Sequence, residues 1–290
     1  MASHTFPVLR CKFQCGTIPK KIIEHMTELN SNNICTLRFD ERYLTIYTPS
    51  SQCDVFFVWR IERMKVNLEW LSEDFGEEVK SDGKKETRYV EFDMDLKEMK
   101  ESLKAFKKNM PLTLTIFKDG ENSFHINNQI GNSTETTTRS NEHTIQLKDV
   151  RYDINSVLKT YKQPYKLFLS ISDIKMDMAR FKGKELFLKI YENGIAPIVR
   201  SAGNKFTSNS VYGTITEDER DDAISLINDK DKLMDESLIL RGSDALQKFV
   251  KIEDGPLYIF YEENVSLTFV AYPGCYGTMY LRFGLGGDRK

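Results

Sequence analysis

The chain predicts an α+β fold in which one module of antiparallel strands and two helices is used twice, and three observations predict it. The first is an internal repeat. Leu103-Lys-Ala-Phe106-Lys-Lys-Asn-Met-Pro111-Leu-Thr-Leu-Thr-Ile116-Phe117 is matched by Leu246-Gln-Lys-Phe249-Val-Lys-Ile-Glu-Asp-Gly-Pro256-Leu-Tyr-Ile259-Phe260. Each reads as an amphipathic helix, a Pro-Leu break, an alternating apolar strand, a charged turn and a second strand. Pro111 and Pro256 are 145 positions apart, half of the 290-residue chain. The second observation is a weaker pair that opens each half. Leu9-Arg-Cys-Lys-Phe-Gln-Cys reads as a strand, and Ile18, Ile22, Met26 and Leu29 then recur at helical spacing, with Thr17 placed to cap and Pro19 in the first turn. Lys166-Leu-Phe-Leu-Ser-Ile leads likewise into a segment carrying Ile174, Met178 and Phe181. The third is hairpin chemistry. Two strands flank Asp40-Glu-Arg, and Glu185-Leu-Phe-Leu-Lys-Ile-Tyr runs through Asn193-Gly194 into residues 195–200.

Sheets with helices on one face belong to the α+β class. The expected domains are residues 1–150 and 166–290, with an extended connector over 151–165. Residues 129–142 read as a polar link and 144–150 as a strand. Two charge-dense segments, 73–87 and 214–235, look inserted and mobile.

Composition narrows the function classes. An apolar fraction of 40% with 18 phenylalanines supplies packed cores. No stretch approaches the ~20 apolar residues of a membrane span, and the start lacks the pattern of a signal peptide. Five cysteines (11, 15, 35, 53 and 275) show no pairing or metal-ligand spacing, so Cys11 and Cys15 read as buried thiols on one strand face in a reducing compartment. The net charge of −2 excludes a simply cationic nucleic-acid binder, but allows one that segregates its charge.

The helix expected over 95–109 carries that segregation. Leu96, Met99, Leu103 and Phe106 share one arc of about 80° at ~100° per residue. Lys97, Lys100, Lys104, Lys107 and Lys108 share the neighbouring arc, with Glu98 and Glu101 expected to point away from both. Five lysines side by side repel one another, where a solvated helix normally interleaves its signs. They form either a generic solvated face or a stripe that meets phosphates, releasing counterions without reading sequence. Lys20 and Lys21, Lys175, Arg180 and Lys182, and Lys248 and Lys251 repeat the pattern more weakly, diluted by Glu24, Glu28, Asp173 and Asp177. The four histidines, His4, His25, His125 and His143, stand in no catalytic spacing, and no Gly-rich loop leads from a strand into a helix. No catalytic residue, metal ligand or cofactor site is expected. In the connector, Tyr152, Ile154, Val157, Leu158 and Tyr161 either pack on the sheets beneath or edge a groove for a partner peptide.

This arrangement resembles the sliding clamps, the family of proliferating cell nuclear antigen. Within it the chain is most similar to the Hus-one-type subunit of the nine-one-one checkpoint clamp. The carriers are Leu9-Arg-Cys-Lys-Phe, Cys35-Thr-Leu-Arg-Phe-Asp-Glu-Arg-Tyr-Leu, Val58-Trp59-Arg-Ile-Glu, and Thr136-Thr-Thr-Arg-Ser-Asn-Glu-His143-Thr-Ile-Gln-Leu-Lys-Asp-Val. The resemblance implies two clamp domains with helices inside and sheets outside. It further implies a non-catalytic subunit of a heterotrimeric ring in the nucleus, joined to two related clamp subunits and placed on duplex DNA at damage sites by an ATP-driven clamp loader. Repair enzymes and checkpoint proteins would be tethered there. Ring closure would use edge strands near Thr144, Ile145, Gln146, Leu147 and Lys148 in one half, and near Phe206, Ser208 and Val211 in the other. Tyr152, Ile154, Leu158 and Tyr161 would edge the partner-peptide groove. Departures are the His143-Thr144 order, the charged segments 73–87 and 214–235, and a Gly-rich end with a basic tail. Three other readings stay open: a divergent homotrimeric polymerase clamp, an α+β enzyme with an unrecognised site, and a protein-only scaffold.

The face assignment predicts that Phe106→Ala costs ~3–5 kcal/mol as a core truncation. Urea denaturation measures this, and an unchanged midpoint would place Phe106 on the wrong face.

Overall fold

The computed structural model describes residues 6–29, 33–49, 55–72, 77–81, 84–104, 110–119, 123–130, 139–147, 166–170, 185–191, 194–201, 204–207, 212–213, 238–240, 243–252, 256–262, 266–273 and 276–284. Antiparallel strands with few helices give an α+β fold. The chain divides into two compact units. One holds Met1–Ser51, Phe57–Asp153 and Pro273–Met279; the other holds Gln52–Phe56, Ile154–Tyr272 and Tyr280–Lys290.

The first half begins with β1 (Phe6–Phe13), α1 (Thr17–Leu29), β2 (Ile34–Asp40), β3 (Tyr43–Pro49) and β4 (Val55–Glu62). A 3-10 turn (Arg63–Lys65) leads to β5 (Glu69–Trp70), β6 (Glu77–Ser81) and β7 (Lys84–Asp95). Then come α2 (Leu96–Leu103), β8 (Leu112–Asp119), β9 (Ser123–Ile130) and β10 (Arg139–Leu147). The second half holds β11 (Lys166–Ser170), β12 (Glu185–Tyr191), β13 (Gly194–Ser201), β14 (Asn204–Thr207), β15 (Tyr212–Gly213) and β16 (Leu238–Leu240). It ends with α3 (Ser243–Phe249), β17 (Pro256–Glu262), β18 (Ser266–Ala271) and β19 (Thr278–Gly284).

The strand order is the same in each half. In the first, β1, β8, β9 and β10 are neighbours in that order, and so are β4, β3, β2 and β7. In the second, β11, β17, β18 and β19 repeat the one series, and β14, β13, β12 and β16 repeat the other. Register follows the repeat: after Pro111, Leu112 faces Phe13, and after Pro256, Leu257 faces Leu169. Pro111 stands just before its strand and Pro256 is the first residue of its own, positions where a missing donor costs the ladder least. The charged turns fall between β8 and β9 and between β17 and β18.

Local chemistry sets the hairpins. The Asp40 carboxylate accepts from the Arg42 and Tyr43 amides at 2.8 and 2.7 Å, closing the β2–β3 turn. Tyr191 faces Gly194, so Gly194 is the first paired residue of β13 and the two turn positions are 192 and 193.

The first unit's core runs between the strands and its helices. Phe39, Phe92 and Phe124 are buried, with ring centroids 6.5 and 5.4 Å apart in edge-on contacts. Tyr276, from the short stretch of late sequence belonging to this unit, completes another part. Its carbonyl accepts from Trp59 Nε1 at 2.8 Å, its hydroxyl accepts from the Cys15 amide at 2.7 Å, and Phe13 stacks on Trp59 at 5.8 Å. Next to it, Gly277 adopts φ +81°, and a Cβ there would lie 2.1 Å from the Arg60 carbonyl oxygen.

Several expectations are corrected. Residues 77–81 and 84–89 pair in register, with Glu78 opposite Arg88 and Val79 opposite Thr87, within the stretch 73–87 expected to be inserted and mobile. β10 starts at Arg139, inside the stretch read as a polar link, and pairs through Glu142 with Asn127. Thr17 is the first residue of α1, and Cys15 precedes the helix, its Sγ 3.5 Å from Thr17 Oγ1. Cys11 alone of that pair lies on β1, fully buried, and burial pushes its thiol well above the usual range. Cys53, Cys275, His4 and segment 214–235 lie outside the described residues.

Gly277→Ala combines a left-handed backbone with a clash against fixed main chain, and is expected to cost more than ~2 kcal/mol. A chemical-denaturation midpoint equal to that of the unmodified chain would refute the close approach.

Candidate nucleic-acid interface

α2 is set by its cap and its buried stripe. Asp95 Oδ1 accepts from the Lys97 and Glu98 amides at 2.7 and 3.0 Å, and the Leu96 amide donates to the Asn33 carbonyl at 2.6 Å. Leu96, Met99, Ser102 and Leu103 are buried. Ser102 Oγ donates to the Met99 carbonyl at 2.8 Å and accepts from Asn128 Nδ2 on β9. Asn128 is itself fully buried. A polar link of this kind, inside an apolar interface, fixes the helix's rotation more tightly than apolar packing alone, since slippage would take the Ser102 hydroxyl away from the buried Asn128 amide.

That rotation leaves Lys97 and Lys104 exposed and Lys100 half-buried. The helix ends at Leu103 with Lys104 in the following turn, so the stripe read over 95–109 has three lysines on described residues; Phe106, Lys107 and Lys108 lie outside them. Glu101 does not turn away. Its carboxylate sits 2.6 Å from Lys104 Nζ, because positions three apart on a helix are neighbours. Both side chains are more than half exposed, so the pair contributes little to stability and is readily exchanged for another anion.

α1 lies antiparallel against α2. Near its start, Lys20 Nζ approaches the Lys104 carbonyl at 3.4 Å; near its end, Thr27 Oγ1 approaches the Leu96 carbonyl at 3.4 Å. An ammonium at a helix C-terminus meets carbonyls without intrahelical partners and the negative end of the dipole. Lys20 is thus partly occupied in joining the helices, while Lys21 is exposed. The buried face of α1 is Pro19, Ile22, Ile23 and Met26, while Ile18 and Leu29 are half-buried. In the second half, Ala245, Leu246, Phe249, Val250 and Ile252 are buried around α3, with Lys248 half-buried and Lys251 exposed in the turn after it. Lys175, Arg180 and Lys182 lie outside the described residues.

Of the edge positions, Thr144 and Ile145 face His125 and Phe124 of β9, while Gln146 and Leu147 continue onto β7, opposite Asp93 and Phe92. Among the described residues, Arg139–Ile145 have no strand on their other side. Phe206 lies on β14 opposite Val199, and β14 ends its sheet among the described strands. Lys148, Ser208, Val211 and the groove positions Tyr152, Ile154, Leu158 and Tyr161 lie outside the described residues.

The histidines have local contacts. His25 Nδ1 lies 2.9 Å from the Lys21 carbonyl, His125 stacks on Phe117 at 5.0 Å, and His143 is on β10. Among the described residues no group of three His, Cys, Asp or Glu is placed to hold a metal ion, and no helix is long and apolar enough to cross a membrane.

One cluster escaped sequence reasoning. On the face of β2 and β7 that carries even-numbered β2 residues, Thr36 Oγ1 donates to Asp93 at 2.7 Å, and Arg38 meets Glu91 at 3.3 Å. The Arg38 guanidinium also lies 4.3 Å from the Tyr89 ring centroid. Beside them, burial and then the Glu91 charge push the Tyr47 hydroxyl well above its usual range. Glu91 is almost fully buried, so losing Arg38 would leave an uncompensated charge at a cost of about 3–5 kcal/mol. Arg38 on one strand and Glu91 and Asp93 on the other were visible in the sequence; their register and the burial of that face were not.

Comparison with protein-family models and with curated proteins found no match for this chain.

Proposed function

We propose that this chain is a non-catalytic subunit of a heterotrimeric DNA sliding clamp that acts in the DNA damage checkpoint and repair in the nucleus. Its two halves are clamp domains. Their lysine-bearing helices face duplex DNA, and their sheets form the outside. The observation that carries this reading is the repeated strand order: two halves with little local identity arrive at one topology, and the best-described helix pair turns its apolar side to the sheet and its lysines away from it. A surface of that kind suits a polyanion held by charge alone. It needs no base-specific contacts and no chemistry.

The edges of Arg139–Ile145 and β14 are where related subunits would join by strand pairing, each removing an otherwise open ladder. An ATP-driven clamp loader would open and close the ring, and repair and checkpoint proteins would dock along residues 152–161. No cofactor enters this scheme.

Charge reversal tests the helical face. Lys100→Glu, Lys104→Glu and Lys107→Glu together are expected to weaken DNA association by the assembled ring and to reduce its salt slope by about 0.9 per lost phosphate contact. The melting temperature is expected to stay unchanged. DNA retention equal to that of the unmodified chain would count against the proposal. Light scattering on the chain alone separates the related assembly: a monomer fits the heterotrimer, and a trimer fits a homotrimeric polymerase clamp.

A further inference from the structure

The exposed end of the sheet face opposite the apolar core carries a second set of cations and rings. Arg60 on β4 lies over the Tyr43 ring on β3, its guanidinium carbon 3.7 Å from the ring centroid. Both residues are half-buried, and Arg60 Nε is buried without a hydrogen-bond partner. Arg42, in the β2–β3 turn, is exposed, and its carbonyl accepts from the Arg63 amide at 2.7 Å, which brings the two turns side by side. The 3-10 turn then presents Arg63, Met64 and Lys65, with Met64 88% exposed.

This surface is rigid. The Asp40 carboxylate closes one turn. In the other, Arg63 Nε donates to the Leu68 carbonyl at 2.9 Å, and Val66 and Leu68 are buried beneath. The fixed turn holds the Met64 backbone between two cations, so that only its side-chain rotamers are left to order on binding. Four cations, Arg42, Arg60, Arg63 and Lys65, stand against the exposed acids Glu41 and Glu62.

We propose that Arg42, Tyr43, Arg60, Arg63, Met64 and Lys65 form a second nucleic-acid contact, one that takes single-stranded DNA. The Arg60–Tyr43 stack and the Met64 side chain offer surfaces to unstacked bases, and the flanking cations meet phosphates. Bases in an intact duplex are already stacked and cannot use either surface. An acidic peptide would use the cations but leave the stack and the methionine idle. The inference requires neither a ring nor the lysines of α2.

The test uses the purified full chain and a fluorescein-labelled oligothymidylate of about twenty nucleotides, long enough for one such site. Anisotropy titrations are run across a range of salt. Arg42→Glu with Lys65→Glu is expected to weaken binding about tenfold or more and to reduce the salt slope by about 1.4, the value for two phosphates on a single strand. Met64→Ala is expected to weaken binding severalfold with the slope unchanged. The proposal is overturned if the oligothymidylate does not bind, or if the Arg42/Lys65 variant binds it as tightly as the unmodified chain. Displacement by a polyglutamate of equal length, as effective as displacement by unlabelled oligothymidylate, would also overturn it and mark the surface as an acidic-peptide site.

Discussion

The rotation of α2 about its own axis is the constraint on which the candidate interface depends. Three apolar side chains bring the helix onto the sheet, but a stripe of that width tolerates some roll. The Ser102–Asn128 hydrogen bond removes it, because both groups are buried and neither can find water. With the roll fixed, every third or fourth residue on the far side is fixed too. Lys97 and Lys104 are held out by a contact made on the opposite face of the helix. Lys20 then ties α1 alongside, its ammonium meeting the Lys104 carbonyl at the end of α2.

The repeated strand order gives this local device its wider meaning. Eight strands of each half follow one order, although the residues that make them differ in kind. Among the described residues the first half carries in addition β5, β6 and the 3-10 turn, and the second the short β15. Variation thus sits at turns and edges, where burial is low and backbone pairing is least constrained. The 3-10 turn that presents Met64 belongs to this variable part, which suits a contact particular to this chain.

Much of the fold was legible because its signals are local. Pro111 and Pro256 mark strand entry, the Asp40 turn closes its hairpin through its own side chain, and the spacing of Ile22 and Met26 and of Leu96, Met99 and Leu103 matches the buried faces of α1 and α2. What was missed depends on partners distant in sequence. The pairing of 77–81 with 84–89 has no apolar alternation in the sequence to announce it. Glu101 was assigned away from the lysines, yet it lies within reach of Lys104, three positions on. Ser102, polar on an apolar arc, was legible only once Asn128 was seen across from it. The Arg38–Glu91 pair needed both the register of β2 on β7 and the burial of their shared face.

The proposed clamp makes a topological claim that no affinity measurement replaces: a closed ring holds a circle of DNA and runs off a line. The chain is co-purified with its two partner subunits, loaded by an ATP-driven clamp loader onto nicked circular duplex DNA, and passed over a sizing column at high salt. The account predicts co-elution with the circle and release once a single cut linearises it. Retention that survives linearisation, or no retention on the circle by the loaded complex, would contradict it.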